Sequence, residues 1–147
     1  MRFMNTRSKK SIAAAIGVTA GLAGVLFAGA GPAEAASADQ AAAICGSGYY
    51  NIDSYNLFKS TIYLEYNGYT DCAVNILLSD HSTPIDIYVY LEGPNPSWGG
   101  NVNNGSRDSG WYSHYAGPVY TNAPNECIKW GGGDGYRNFN SLLSHCG

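Results

Sequence analysis

The clearest order in the chain is an alternation of apolar and polar side chains at a period of two, the period at which a β-strand turns successive residues to opposite faces. Ile85, Ile87, Val89 and Leu91 alternate with Asp86, Tyr88, Tyr90 and Glu92, so one face of this segment belongs to a core and the other to water. Ile62, Leu64 and Tyr66 alternate with Tyr63 and Glu65, and the run stops at Asn67-Gly68, the dipeptide that best supplies the positive φ angles of a type I′ hairpin turn. The return strand covers 69–78, with Cys72, Val74, Ile76 and Leu78 on one face and Ala73, Asn75 and Leu77 on the other. Asp80-His81-Ser82-Thr83-Pro84 is a cluster of turn formers. An earlier strand over 48–54 and later ones over 111–116, 119–121 and 126–130 complete the set. No window keeps a helical period. The pattern predicts an all-β fold, a small antiparallel β-sandwich or open barrel. The immunoglobulin spacing of a Trp between two core cysteines is absent.

Two glycine-rich stretches interrupt the alternation. Residues 93–110 read as a long irregular loop whose only sizeable apolar side chains are Trp98 and Val102; such a loop is either pinned to the core by Trp98 or exposed for recognition. Gly131-Gly132-Gly133-Asp134-Gly135 is expected to turn the chain back toward its end.

The first 35 residues do not belong to this pattern. Arg2, Arg7, Lys9 and Lys10 precede an apolar stretch rich in Ala and Gly, and Ala33-Glu34-Ala35 supplies small residues around a cleavage point, the layout of a secretory signal peptide rather than of a retained membrane anchor. The expected mature protein is a flexible or loosely helical lead over 36–44, followed by a single domain over 45–147, secreted and without membrane insertion after cleavage. In that mature chain four cations, Lys59, Arg107, Lys129 and Arg137, face ten carboxylates, a formal net charge of −6. Such a chain is a poor ligand for nucleic acid.

Four cysteines, Cys45, Cys72, Cys127 and Cys146, all lie in the exported part, and an even count in a small exported chain reads as two disulfides. Of the three possible pairings, Cys45 with Cys72 and Cys127 with Cys146 is preferred, because each pair then brackets one end of the domain. A four-thiolate zinc site would need Cys-x-x-Cys spacing, which is missing.

No catalytic constellation can be placed. There is no Gly-x-Ser-x-Gly elbow, and a triad built on His81 or His114 would be arbitrary. A lone Asp134 in a glycine-rich turn does not make a calcium loop, and no metal or cofactor is expected. Binding is easier to motivate. Tyr63, Tyr88 and Tyr90 fall on the non-core parity of their strands, and with Trp98, Trp111 and Tyr112 they form a candidate aromatic surface able to stack on sugar rings or meet a protein. The competing reading packs the same tyrosines beneath a loop.

Tyr115-Ala116-Gly117-Pro118-Val119-Tyr120, Cys127-Ile128-Lys129-Trp130-Gly131-Gly132 and the closing Cys146-Gly147 resemble the spore-associated protein A family. Cys45-Gly46-Ser47-Gly48-Tyr49, Tyr63-Leu64-Glu65-Tyr66-Asn67 and Cys72-Ala73-Val74 are similar to its N-terminal half. The resemblance implies a small secreted protein found with spores or aerial structures, and it offers no catalytic residues to carry over. The expected function is therefore non-enzymatic attachment to a spore or cell-envelope component, glycan or protein. The alternative is an exported enzyme, or an inhibitor of one, with a site built from loops.

Overall fold

The computed structural model describes residues 36–93 and 105–147. The expected signal peptide, and Trp98 and Val102 of the long loop, lie outside them. One helix, α1 (Ala38–Cys45), precedes eight strands: β1 (Tyr50–Asn56), β2 (Ser60–Tyr66), β3 (Thr70–Leu77), β4 (Ile85–Glu92), β5 (Gly105–Tyr112), β6 (Tyr115–Asn122), β7 (Lys129–Gly133) and β8 (Asn138–Asn140). They form two four-stranded antiparallel sheets, β1-β2-β3-β6 and β5-β4-β7-β8. The fold is thus a β-sandwich, not a barrel. No helix among the described residues is long and apolar enough to cross a membrane.

Ile62, Leu64, Ala73, Leu77, Val119, Ile87, Val89, Leu91, Ile128 and Trp130 fill the space between the sheets, each large side chain contributing about 1.5 to 3 kcal/mol by leaving water. Within this apolar layer sits Asn75, fully buried, whose Nδ2 donates to the carbonyls of Tyr88 and Gly133, both at 3.0 Å. It ties the first sheet to the β4–β7 pair of the second.

Along one side the sandwich is zipped by β5 and β6. Asp108 accepts from the Gly117 amide at 2.7 Å, and the Ser106 hydroxyl both accepts from the Tyr120 amide and donates to its carbonyl. Along the opposite side the Tyr55 and Phe139 rings stack with centroids 3.9 Å apart. The outer edges are poor: β1 carries a bulge between Asn51 and Asp53, and β8 has three residues.

The pairings Cys45–Cys72 and Cys127–Cys146 are both formed. Several local expectations need correction. The lead before Cys45 is helix α1, its first turn capped by the Ser37 hydroxyl accepting from the Gln40 amide at 3.1 Å. The β2–β3 hairpin is present, but among its turn residues only Gly68 has a positive φ (93°), so the turn is not type I′. Residues 105–110 of the long loop belong to strand β5. The expected strand over 111–116 is split by the turn at Ser113-His114, its first part ending β5 and its last opening β6, which also takes in 119–121. The first glycines of the 131–135 cluster do not turn; they complete β7.

Candidate functional site

Cross-strand partners in an antiparallel sheet point to the same face, so the register of the second sheet gives its outer surface. Asp86 pairs with Trp111, Tyr88 with Ser109 and Tyr90 with Arg107 across β4 and β5; Tyr88 pairs with Gly133 and Tyr90 with Gly131 across β4 and β7; Gly131 and Gly133 pair with Asn140 and Asn138 of β8. One face therefore carries Trp111, Tyr88 and Tyr90 among Asp86, Arg107, Asn138 and Asn140. Trp111 is 73% exposed, while the two tyrosines are half-buried.

The glycines of β7 explain that partial burial. A Cβ on Gly133 would stand 2.4 Å from Tyr88 Cε1, and one on Gly131 2.6 Å from Tyr90 Cε1. The rings lie where side chains of β7 would otherwise be, so backbone supports them from below. Asn75 holds the main chain of Tyr88 from the core side. The Tyr90 hydroxyl donates to Asn140 Oδ1 at 3.1 Å, and burial, then the Glu92 and Tyr88 charges, push its pKa up to about 12. At neutral pH it is a protonated donor.

Beside Tyr88 lies a shallow open cleft of about 260 Å³ lined by Tyr88, Gly135, Tyr136, Arg137 and Asn138. Its rim is the turn after β7. Asp134, 1% exposed, organises that turn by accepting from the amides of Tyr136 (3.0 Å) and Arg137 (2.8 Å) with one oxygen, and from the Lys59 amide with the other. Its role is an Asx turn that also fastens the β1–β2 connection. The Arg107 guanidinium lies 4.5 Å over the Tyr88 ring.

The chain is 33% identical over 145 residues to spore-associated protein A from Streptomyces coelicolor, an alignment covering 90% of this chain and 88% of the relative. It belongs to the spore-associated protein A family. No family model and no solved structure matches it.

In this member of the spore-associated protein A family the six aromatic residues singled out by sequence do not form one surface. Tyr88, Tyr90 and Trp111 share the outer face of the second sheet. Tyr63 is 8% exposed, because α1 covers the outer face of the first sheet, and its hydroxyl donates to the carbonyl of Ala36, just before α1, at 2.8 Å. Tyr112 points inward, packs on the core, and donates to Asp108 Oδ1 at 2.6 Å. Trp98 lies outside the described residues. Missed by the sequence reading were Arg107, Tyr136, Arg137, Asn138 and Asn140; the alternation Arg107, Ser109, Trp111 was present but hidden in a glycine-rich stretch.

The histidines sit elsewhere. His114 Nδ1 is 2.7 Å from Asp80 Oδ1, both well exposed, and His145 Nε2 is 3.1 Å from Asp53 Oδ2. Neither imidazole is hydrogen-bonded to a Ser, Thr or Cys side chain among the described residues. No group of three or more His, Cys, Asp or Glu among those residues is placed to hold a metal.

Proposed function

We propose that this protein is an exported, non-enzymatic member of its family that attaches to a spore or cell-envelope glycan through the outer face of the β5-β4-β7-β8 sheet. The observation that carries the reading is Trp111, 73% exposed on the same face as Tyr88 and Tyr90, whose rings rest on the β7 backbone. The open Trp111 ring suits the apolar face of a sugar, and the packed tyrosines beside it leave little ordering entropy to be lost on binding. The relative's printed name supports the location. So do the two disulfides, which persist in oxidising surroundings.

The test is a pull-down of the secreted, oxidised protein on purified spores, vegetative walls, peptidoglycan and chitin. Trp111→Ala removes an exposed side chain, so the fold survives and binding to the preferred material should fall about tenfold, the value of one buried aromatic anchor. Binding that Trp111→Ala and a Tyr88→Ala/Tyr90→Ala variant leave intact would place the attachment surface elsewhere.

A further inference from the structure

The ligand's charge can be read from where the few cations lie. In a mature chain with ten carboxylates, Lys59, Arg107 and Arg137 come from three distant parts of the sequence, and each is either in the wall of one cleft or against a ring of that wall. Arg137 lines it; the Lys59 Nζ lies 4.5 Å over the ring of Tyr136, a lining residue; the Arg107 guanidinium lies 4.5 Å over the ring of Tyr88, another. Among the described residues none of the three makes an ion pair with a carboxylate within 4.0 Å. Three acids lie near them in register. Asp134 is buried with its oxygens taken by three backbone amides, Asp86 lies one step beyond Tyr88, opposite Trp111, and Glu92, one step beyond Tyr90 on the same face, stands opposite Lys129 of β7.

Lys59 and Arg107 are stacked on aromatic rings and Arg137 lines the cleft, with both arginines exposed. Stacking fixes a guanidinium in orientation while leaving its N–H groups free to donate, the arrangement that suits bidentate capture of a carboxylate or phosphate. Next to them lie Trp111 and Tyr90 for ring stacking, and the amides of Asn138 and Asn140 for hydroxyls.

We infer that the face binds an anionic polysaccharide, with the acidic group seated between Arg107 and Arg137 in the cleft and the neighbouring sugar rings on Tyr90 and Trp111. This rests on the glycan-binding reading of the same face and adds the sign and place of the ligand's charge.

The experiment measures binding of the secreted, oxidised protein to four immobilised polymers: polygalacturonate, phosphomannan, chitin and duplex DNA. Variants are Arg107→Gln, Arg137→Gln, their double, and Trp111→Ala, each checked for an unchanged thermal midpoint. The expected result is binding to polygalacturonate or phosphomannan, the two arms telling carboxylate from phosphate. Each Arg→Gln should weaken it about two- to fivefold and the double about tenfold or more, with affinity falling as salt rises. Binding to chitin alone, lost in Trp111→Ala and untouched in both arginine variants, overturns the anionic inference while the aromatic face stands. Equal binding to DNA also overturns it, since charge alone would then suffice. No binding to any polymer overturns the anionic inference, while the pull-down on spores, walls and peptidoglycan decides the aromatic face separately.

Discussion

Changing Asn75 to aspartate exchanges a single NH2 group for oxygen in the middle of the core, with almost no change of volume. In the native protein that NH2 makes two hydrogen bonds, to the carbonyls of Tyr88 and Gly133, from a side chain with no exposure to water. A protonated aspartic acid keeps one of them through its O–H and leaves the other carbonyl without this donor, a loss of about 1 to 2 kcal/mol. An ionised aspartate would set a charged oxygen against two carbonyl oxygens, so the folded protein holds the proton and the folded-state pKa rises far above the unfolded value of about 3.9. The sign follows from proton binding. Above pH ~4 the unfolded chain releases the proton and the folded one keeps it, so stability falls as pH rises, by about 1.4 kcal/mol per unit. By pH 7 this adds about 4 kcal/mol to the hydrogen-bond loss, a large share of the roughly 5 to 15 kcal/mol that holds a domain together. Urea titrations of native protein and Asn75→Asp, followed by tryptophan fluorescence at pH 4 and pH 7, measure the difference. A deficit of the same size at both pH values would refute the reasoning, because it would mean that the position 75 carboxyl meets water rather than the two carbonyls.

Three further outcomes follow from buried groups. Burial raises the Asp71 pKa from 3.8 to about 6, against a smaller lowering by His145, so the native protein should lose on the order of 2 to 3 kcal/mol as pH rises from about 4 to about 6. Asp71→Asn should flatten that slope in denaturant titrations; Glu65, raised by its own burial, leaves a remainder. Removing Cys45–Cys72 or Cys127–Cys146 as paired alanines should cost about 3 to 4 kcal/mol each, since loops with separations of 27 and 19 residues are close in closure entropy. Calorimetry showing only one of the two variants destabilised would contradict this. Gly133→Ala places a methyl 2.4 Å from the Tyr88 ring, so it should cost about 1 to 3 kcal/mol and weaken binding to envelope material at the same time; binding retained at full strength would show that the Tyr88 position is not used.

What the sequence revealed, and what it hid, divides along the range of the interaction. The alternation in β2 and β4 and the pairing of the cysteines are local or nearly so, and each was legible. Helix α1 was not: its eight residues have a weak apolar stripe, and it is held by the outer face of the first sheet, a surface that exists only after β2 and β3 have paired. The same covering turned Tyr63 from an outward residue into a buried one. Strand β7 was misread because glycine disfavours strands, while here its lack of a side chain is what admits the rings of Tyr88 and Tyr90. The cleft was invisible for a third reason: positions 59, 107 and 137 share no local pattern, and only the packing of the sheets brings Lys59 over Tyr136, as only the β4–β5 pairing brings Arg107 over Tyr88.

The bulged β1 and the three-residue β8 bear on how such molecules behave when they are crowded together. A sheet grows from molecule to molecule when a long flat edge offers its free amides and carbonyls to a neighbour. Here one pair of edges is spent on joining the sheets to each other, and the remaining pair is kinked or too short to template a strand. A layer of this protein would be a carpet of separate tiles, each fixed to the surface below and none woven to the next. It would lift off tile by tile when a soluble competitor fills the faces, without the harsh solvents needed to dissolve a fibrous coat.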